Sequence, residues 1–166
     1  MGMKYLKSLG FLACFVSASC SLTTMNPGTQ VVSETSKESL SAEMKIQSTI
    51  KIGEPVQLIF TVYNNTESPK QFCKWHTPFE PLMSKYLEIK DANGVEMNYQ
   101  GPMAKRIMPP PAISYIVVKS KESISATVNL GSAYNLTGPS KYTIKYTGNE
   151  MSGLPGVKAA SFVYRE

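Results

Sequence analysis

Residues that could perform catalysis are few in this chain of 166 residues, and their spacing does not suit it. The one histidine, His76, follows Cys73 by three positions, but a nucleophilic cysteine needs a base that the fold holds in contact with it. We therefore interpret Cys73 as a small buried side chain. The one aspartate, Asp91, precedes an Asn-Gly pair whose hairpin geometry explains it. Motifs of zinc hydrolases, serine hydrolases and P-loops are absent from the sequence, which predicts no enzyme, no metal and no cofactor.

Two irregular stretches, residues 74–86 and 99–112, carry the side chains best suited to recognising a partner. Loops of this length are uncommon within a compact domain and are often functional. Two interpretations are open for the apolar side chains of the first loop, which either contact a partner or form a plug at one end of the fold: Trp75, Phe79, Leu82 and Met83. The charged side chains have no place in a core, so we expect them to face solvent or a partner: Glu80, Lys85, Lys105 and Arg106.

Short strands must position these loops, because apolar and polar residues alternate along much of the chain. The alternation predicts strands near 44–52, 56–63, 87–89, 95–99, 113–118, 124–130, 142–146 and 157–164. Asn93-Gly94 is a strong hairpin signal between two of them. No window has a sustained helical period, and Pro109-Pro110-Pro111 would break a helix.

The pattern therefore predicts an all-β fold, an immunoglobulin-like antiparallel β-sandwich of seven to nine strands over residues 44–166. Tyr142 follows Gly138-Pro139 at the start of a late strand. It is either the tyrosine of a tyrosine corner or an ordinary tyrosine at the edge of the core.

The N-terminus reads as an export signal over residues 1–19. Lys4 and Lys7 precede a short apolar run that ends in Ser-Ala-Ser, and Cys20 follows. This order is similar to a bacterial lipobox and predicts lipidation of Cys20, attachment to the membrane through that lipid, and an outer-membrane or periplasmic position. The alternative is an ordinary signal peptide followed by a secreted protein. Residues 20–43 are polar, which predicts a flexible tether.

The charge balance argues against a nucleic-acid partner. The formal net charge is +5, and it falls to +3 when the two lysines of the signal are removed. The basic residues are scattered along the sequence rather than gathered in one run.

Three segments carry a resemblance to a known protein family: KWHTPFEPL at 74–82, NYQGPMAKR at 98–106 and SATVNLGSAYNL at 125–136. Together they resemble the N-terminal pro-domain of deuterolysin-type zinc endopeptidases, the aspzincins, over about residues 44–147. The sequence departs from that family at Asn129, where the family often has Asp, and in ending at Glu166 with no peptidase domain.

The resemblance implies an inhibitor or folding chaperone that acts in trans on an aspzincin-type zinc metalloendopeptidase. Residues 75–85 and 99–108 would then form one contact face, whose partner-binding residues are Trp75, Thr77, Phe79, Glu80, Leu82, Lys85, Tyr99, Lys105 and Arg106. Lys105, or else Lys85, would enter the specificity pocket of a protease that prefers lysine.

A second class of function remains open, which is a surface-anchored immunoglobulin-like binding or adhesion module with no protease target. Exposed aromatic side chains on one sheet face would then indicate a platform for glycans. A degenerate gene product under little selection is a third possibility.

Overall fold

The computed structural model describes residues 40–166, which are built almost entirely of short strands and loops. The strands are β1 (Leu40–Ile46), β2 (Thr49–Lys51), β3 (Gln57–Asn64), β4 (Lys70–Cys73), β5 (Leu87–Lys90), β6 (Tyr115–Val118), β7 (Ser123–Asn129), β8 (Ser140–Tyr146) and β9 (Ala160–Arg165). Two 3-10 turns cover Ala112–Ser114 and Leu130–Ser132, and a single α-helical turn, α1, covers Asn149–Ser152. Within this part of the chain no helix has the length and apolar character needed to cross a bilayer.

The strands form a three-stranded sheet, a four-stranded sheet and a two-stranded ladder. The three-stranded sheet has the antiparallel order β1-β3-β7. The four-stranded sheet has the order β2-β9-β8-β5 and is antiparallel except for the β2–β9 pair. Antiparallel β4 and β6 form the ladder. This architecture confirms the predicted all-β, immunoglobulin-like fold.

Alternation along the strands builds the core between the two larger sheets. In β3, Leu58, Phe60 and Val62 are fully buried, and intervening residues face outwards. Strand β8 turns Ile144 and Tyr146 inwards in the same way, and the rings of Phe60 and Tyr146 lie 5.2 Å apart between centroids. Removing these side chains from water is the main stabilising contribution.

Tyr142 forms the tyrosine corner that was one of the two expectations for it. The Tyr142 hydroxyl donates to the carbonyl of Gly138, 3.1 Å away and four residues upstream. Gly138 has a φ of 88°, a conformation that suits glycine. The corner fixes the chain where it enters β8.

The N-terminal part of the domain differs from the prediction. Strand β1 begins at Leu40, inside the segment assigned to the tether, because Leu40 and Met44 are buried and the strand pairs with β3. The strand predicted over 44–52 is divided between the two larger sheets as β1 and β2. The signal segment 1–19, Cys20 and the tether up to residue 39 lie outside the described residues.

Two further differences concern short elements. Strand β4 was not predicted, because its four residues are too few to show alternation. Residues 95–99 do not form a strand. They are joined to neighbouring segments by the isolated bridges Lys90–Glu96 and Tyr99–Tyr134 and by single backbone hydrogen bonds, such as the one from the N–H of Met97 to the carbonyl of Ile89.

Candidate functional site

The structure brings the two predicted loops together, and we call residues 74–86 and 99–114 the loop pair. The backbone N–H of Ala104 donates to the carbonyl of Met83 at 2.8 Å. The Tyr99 hydroxyl donates to the carbonyl of Leu82, also at 2.8 Å. Further along, the N–H of Lys74 donates to the carbonyl of Ser114. The two loops therefore run side by side and hold each other in place.

Arg106 lies at the centre of the loop pair. Its guanidinium forms an ion pair with the carboxylate of Glu80 and lies over the ring of Trp75, 4.8 Å from the ring centre. The side chains of Arg106 and Glu80 are only 17% and 11% exposed, so this charge pair is largely removed from water. Arg106 Nε has no hydrogen-bond partner among residues 40–166. Ion pairing and cation–π attraction together fix the second loop against the first.

Several of the predicted partner-binding residues are buried and hold the loops on the core. Trp75, Thr77 and Leu82 are less than a tenth exposed, and the Thr77 hydroxyl donates to the carbonyl of Lys74 at 2.6 Å. Phe79 is half-buried, with ring-centre distances of 6.4 Å to Phe60 and 5.2 Å to Phe72. Tyr99 is half-buried and packs edge-on against Tyr134. This is the packing that the plug interpretation predicts.

The two lysines proposed as anchors have different surroundings. Lys85 is ion-paired with Glu96 at the rim of a shallow groove of about 390 Å³ that is also lined by Met97, Asn98, Tyr99 and Met103. Lys105 is exposed, and no acidic side chain in the described part of the chain lies within ion-pair distance of it. Lys105 is therefore the more available cation of the loop pair.

The second loop of the pair, together with strand β6 that follows it, also exposes a set of apolar side chains that were not among the predicted site residues. We call this set the apolar crest: Met103 (68% exposed), Ile107 (82%), Met108 (62%), Ile113 (81%), Tyr115 and Val117 (58%). Tyr115 and Val117 occupy alternate positions of β6 and thus share one face of that strand, and Ile113 precedes them in the 3-10 turn. The sequence does contain a signal for this exposure. Ile107 and Met108 precede three prolines, which prevent the segment from joining a sheet that would cover these side chains.

His76 and Cys73 do not form a catalytic pair. Cys73 is buried and free, as expected. Burial, and next the charge of Arg106, lower the pKa of His76, which has a φ of 59°. Its carbonyl accepts a hydrogen bond from the Tyr146 hydroxyl at 2.9 Å, and burial raises the pKa of Tyr146 to about 12. Over residues 40–166 no three potential metal ligands are grouped together.

Packing around His76 also explains one glycine. A Cβ on Gly148 would lie 2.2 Å from the carbonyl oxygen of His76, which is far inside contact distance. The loop before α1 can therefore approach His76 only because residue 148 has no side chain. This contact ties the first loop of the pair to the end of β8.

Two sheets packed face to face, a tyrosine corner and a braced pair of loops define a β-sandwich domain of the immunoglobulin type. The model of the immunoglobulin-like domain family matches residues 40–158. The chain belongs to this family, and the match indicates no catalytic family. An uncharacterized secreted protein of Arthroderma benhamiae is 31% identical over 116 residues, which cover 66% of this chain and 59% of the relative. The chain thus spans about three fifths of the relative's length.

These comparisons correct the resemblance to deuterolysin pro-domains, which is wrong. The family match is to an immunoglobulin-like domain, and the relative is an uncharacterized secreted fungal protein. The structure supplies a physical reason, because Trp75, Thr77, Leu82 and Tyr99 of the resembling segments pack or hydrogen-bond inside the domain. Such residues report how the loops are held rather than which partner is bound.

The role as inhibitor or chaperone of a zinc metalloendopeptidase rested on that resemblance and is withdrawn with it. The bacterial, outer-membrane and periplasmic assignments rested on the similarity to a lipobox at Cys20. They are corrected for a different reason, which is that the relative is a secreted protein of a fungus.

Proposed function

We propose that this protein is an exported binding module of the immunoglobulin-like family that contacts a protein partner through the loop pair. The predicted signal segment and the secreted relative support export. The observation that carries the proposal is the apolar crest on loops that are held in place from beneath.

Exposure of the crest is unfavourable for an isolated domain. Each large aliphatic side chain left in water forgoes about 1.5–3 kcal/mol of burial free energy. Ile107 and Ile113 are more than four fifths exposed, on a loop that the ion pair of Arg106 and the hydrogen bond of Ala104 hold against the first loop. Groups of exposed apolar side chains typically mark interaction sites, and loops that are already ordered lose little conformational entropy on docking.

The chemistry of the crest favours a protein over a glycan. A glycan platform needs exposed aromatic rings, and among residues 40–166 the large exposed apolar side chains include one aromatic residue, Tyr115, at 36%. Aliphatic and thioether side chains suit the apolar centre of a protein interface.

A pair of triple variants tests the proposal. The crest variant carries Ile107→Ser, Met108→Ser and Ile113→Ser. The control carries Ile52→Ser, Ile59→Ser and Val163→Ser, three side chains that are also exposed, at 43%, 42% and 40%, but lie outside the loop pair. Each immobilised domain is cross-linked to the proteins of the producing organism's culture medium, and the captured proteins are identified by mass spectrometry.

We expect the wild type and the control to retain the same protein and the crest variant to lose it. Equal capture by all three, or no specific capture by the wild type, would show that the crest is not the binding surface.

Lys105 provides a finer test of the same surface. Because it is exposed next to the crest, Lys105→Ala should slow association with the captured protein several-fold and reduce its salt dependence. Lys121→Ala, at an exposed lysine that pairs with Glu67, is the control and should leave the association rate unchanged.

A further inference from the structure

The outer face of the four-stranded sheet holds a concentration of positive charge. Its outward positions carry five basic side chains and one acidic one: Lys51, Lys90, Lys141, Lys145, Arg165 and Glu88. This face therefore has a net charge of +4. Residues 40–166 as a whole contain fourteen basic and ten acidic residues, which also gives +4. The remainder of the described domain is thus neutral, and its excess charge resides on one face.

Strand register arranges four of the five cations in a diagonal line, and we call the five together the basic stripe. Lys51 on β2 lies opposite Arg165 on β9. Lys141 on β8 lies opposite Val163, two residues before Arg165, and Lys90 on β5 lies opposite Thr143, two residues after Lys141. Neighbouring strands are about 4.8 Å apart and alternate residues about 6.6 Å apart along a strand. The stripe therefore crosses all four strands with closely spaced charges, and Lys145 extends it.

Most of the basic stripe has no counter-charge. Lys90 pairs with Glu88 at 2.8 Å. Lys145 lies opposite Glu88 across the β5–β8 pair, so this carboxylate also offsets part of its charge. For Lys51, Lys141 and Arg165, no carboxylate in the part of the chain that the structure describes is within ion-pair distance. These three like charges on one face repel one another and do not stabilise the fold. Their arrangement therefore favours the binding of an external anion.

On the outer face of the three-stranded sheet, by contrast, the charged and polar side chains pair with one another. There Lys45 pairs with Glu43 at 3.2 Å, and the Tyr63 hydroxyl donates to Glu43 at 3.1 Å. The hydroxyls of Thr61 and Ser125 lie 2.8 Å apart and share a hydrogen bond. Polar groups on that face are satisfied by one another.

We propose that the basic stripe binds a linear anionic polysaccharide through its carboxylate or sulfate groups. A line of separate cations across a flat sheet matches a chain with regularly spaced anions. The face has no aromatic side chain on which a base could stack, which disfavours nucleic acid. Its one large apolar side chain, Val163, offers little to insert into a bilayer. The Lys90 end of the stripe adjoins the loop pair, because Lys90 is bridged to Glu96 and Glu96 is ion-paired with Lys85. The proposal nevertheless does not depend on the function proposed for the loop pair.

Two charge-matched variants test the stripe. The stripe variant carries Lys51→Gln, Lys141→Gln, Lys145→Gln and Arg165→Gln. The control carries Lys45→Gln, Lys70→Gln, Lys119→Gln and Lys121→Gln, which removes the same charge from other surfaces. Binding of the full exported domain to heparin (sulfated) and to alginate (carboxylated) is measured by calorimetry over a series of salt concentrations, and circular dichroism verifies folding.

We expect the wild type and the control to bind at least one of the two polysaccharides, and the stripe variant to bind it at least about tenfold more weakly with a shallower salt dependence. Equal weakening in both variants would show that only net charge matters. No binding to either polysaccharide at low salt, or tighter binding to phosphatidylserine vesicles or to a single-stranded oligonucleotide, would overturn the proposal. Should the stripe variant fail to fold, Lys141→Gln and Lys145→Gln singly, each expected to weaken binding, decide the question.

Discussion

The turn after β3 and the loop pair both bury a polar side chain, but the two side chains differ in charge and in how fully they are hydrogen-bonded. At the end of β3, Asn64 is 1% exposed. Its amide nitrogen donates to the carbonyls of Ser68 and Val118, both at 2.9 Å, and its oxygen accepts from the N–H and hydroxyl of Thr66. In the loop pair, Arg106 brings a charge close to the core, and its Nε has no partner in the described part.

The hydrogen bonds of Asn64 are explained by the stability of the fold alone, whereas the ion pair of Arg106 is not. The amide of Asn64 is neutral and its hydrogen-bonding capacity is filled, so it stabilises its turn and leaves nothing for a partner. A largely buried ion pair is weak evidence for stability, because apolar residues of similar volume often serve as well. The Arg106 end also exposes the apolar crest, whereas the surroundings of Asn64 are polar turns. The first region therefore maintains the fold, and the second is the region for which we propose recognition.

Replacing Asn64 should give the largest effect. Asn64→Ala removes the donors to buried carbonyls and leaves the backbone N–H of Thr66 without its acceptor, so we expect a loss of about 3 kcal/mol in the free energy of unfolding. Urea denaturation measures it. The control is Asn65→Ala, because that neighbouring side chain is exposed and makes one long hydrogen bond of 3.4 Å to Ser41. A loss below about 1 kcal/mol for Asn64→Ala would remove the contrast between the two regions.

Replacing Arg106 should have a smaller effect on stability. Arg106→Met leaves the carboxylate of Glu80 without its counter-charge, and we expect a loss of about 2 kcal/mol, since the pair retains some contact with water. The double variant Glu80→Gln/Arg106→Met should recover much of that loss. Fluorescence of Trp75, the one tryptophan of the chain, should shift in both variants because the guanidinium leaves its ring. An unchanged spectrum would contradict the cation–π contact.

Stability near the loop pair should depend on pH, whereas the Asn64 region has no titratable side chain in its network. Burial and Arg106 hold the pKa of His76 below its ordinary value of about 6.5. The unfolded chain therefore takes up a proton first as the pH falls, and the free energy of unfolding decreases from about pH 6.5 down to the folded-state pKa. His76→Asn, which tolerates the φ of 59°, should remove this part of the dependence. Denaturation at several pH values between 5.5 and 7.5 measures the slope, and an equal slope in both proteins would exclude His76 as its source.

The apolar crest should contribute least to stability. Ile107→Ser changes a side chain that is 82% exposed, so the free energy of unfolding should move by less than about 0.5 kcal/mol. Leu82→Ala, on the buried side of the same loop pair, should be clearly destabilising. Thermal unfolding of the two variants side by side compares the outer and inner surfaces of the loop pair. A large loss for Ile107→Ser would indicate that the crest is packed rather than available.

Much of the fold was predictable because side-chain alternation is a local property. The stripes around Phe60 and Ile144 correctly indicated which residues turn inwards, and the three prolines at 109–111 correctly excluded a helix there. Alternation gives no such information within the loops: Leu82 and Ile107 are both aliphatic in the sequence, yet one is 7% and the other 82% exposed. Their difference depends on contacts with residues far away in the chain.

The resemblance to a pro-domain failed for a related reason. Its three segments contain the residues that pack the loop pair, such as Trp75 and Tyr99. A sequence pattern of this kind reflects shared architecture and does not identify a partner.

The sequence by itself determined that the chain forms short strands with one apolar face, because a strand turns successive side chains to opposite sides. It also determined where turns and loops interrupt those strands. Only the tertiary structure decided that Arg106 lies over Trp75, and that Lys51, Lys141 and Arg165 lie along one stripe. Those arrangements depend on strand order and register, which are set by contacts between distant segments and leave no periodic trace in the sequence.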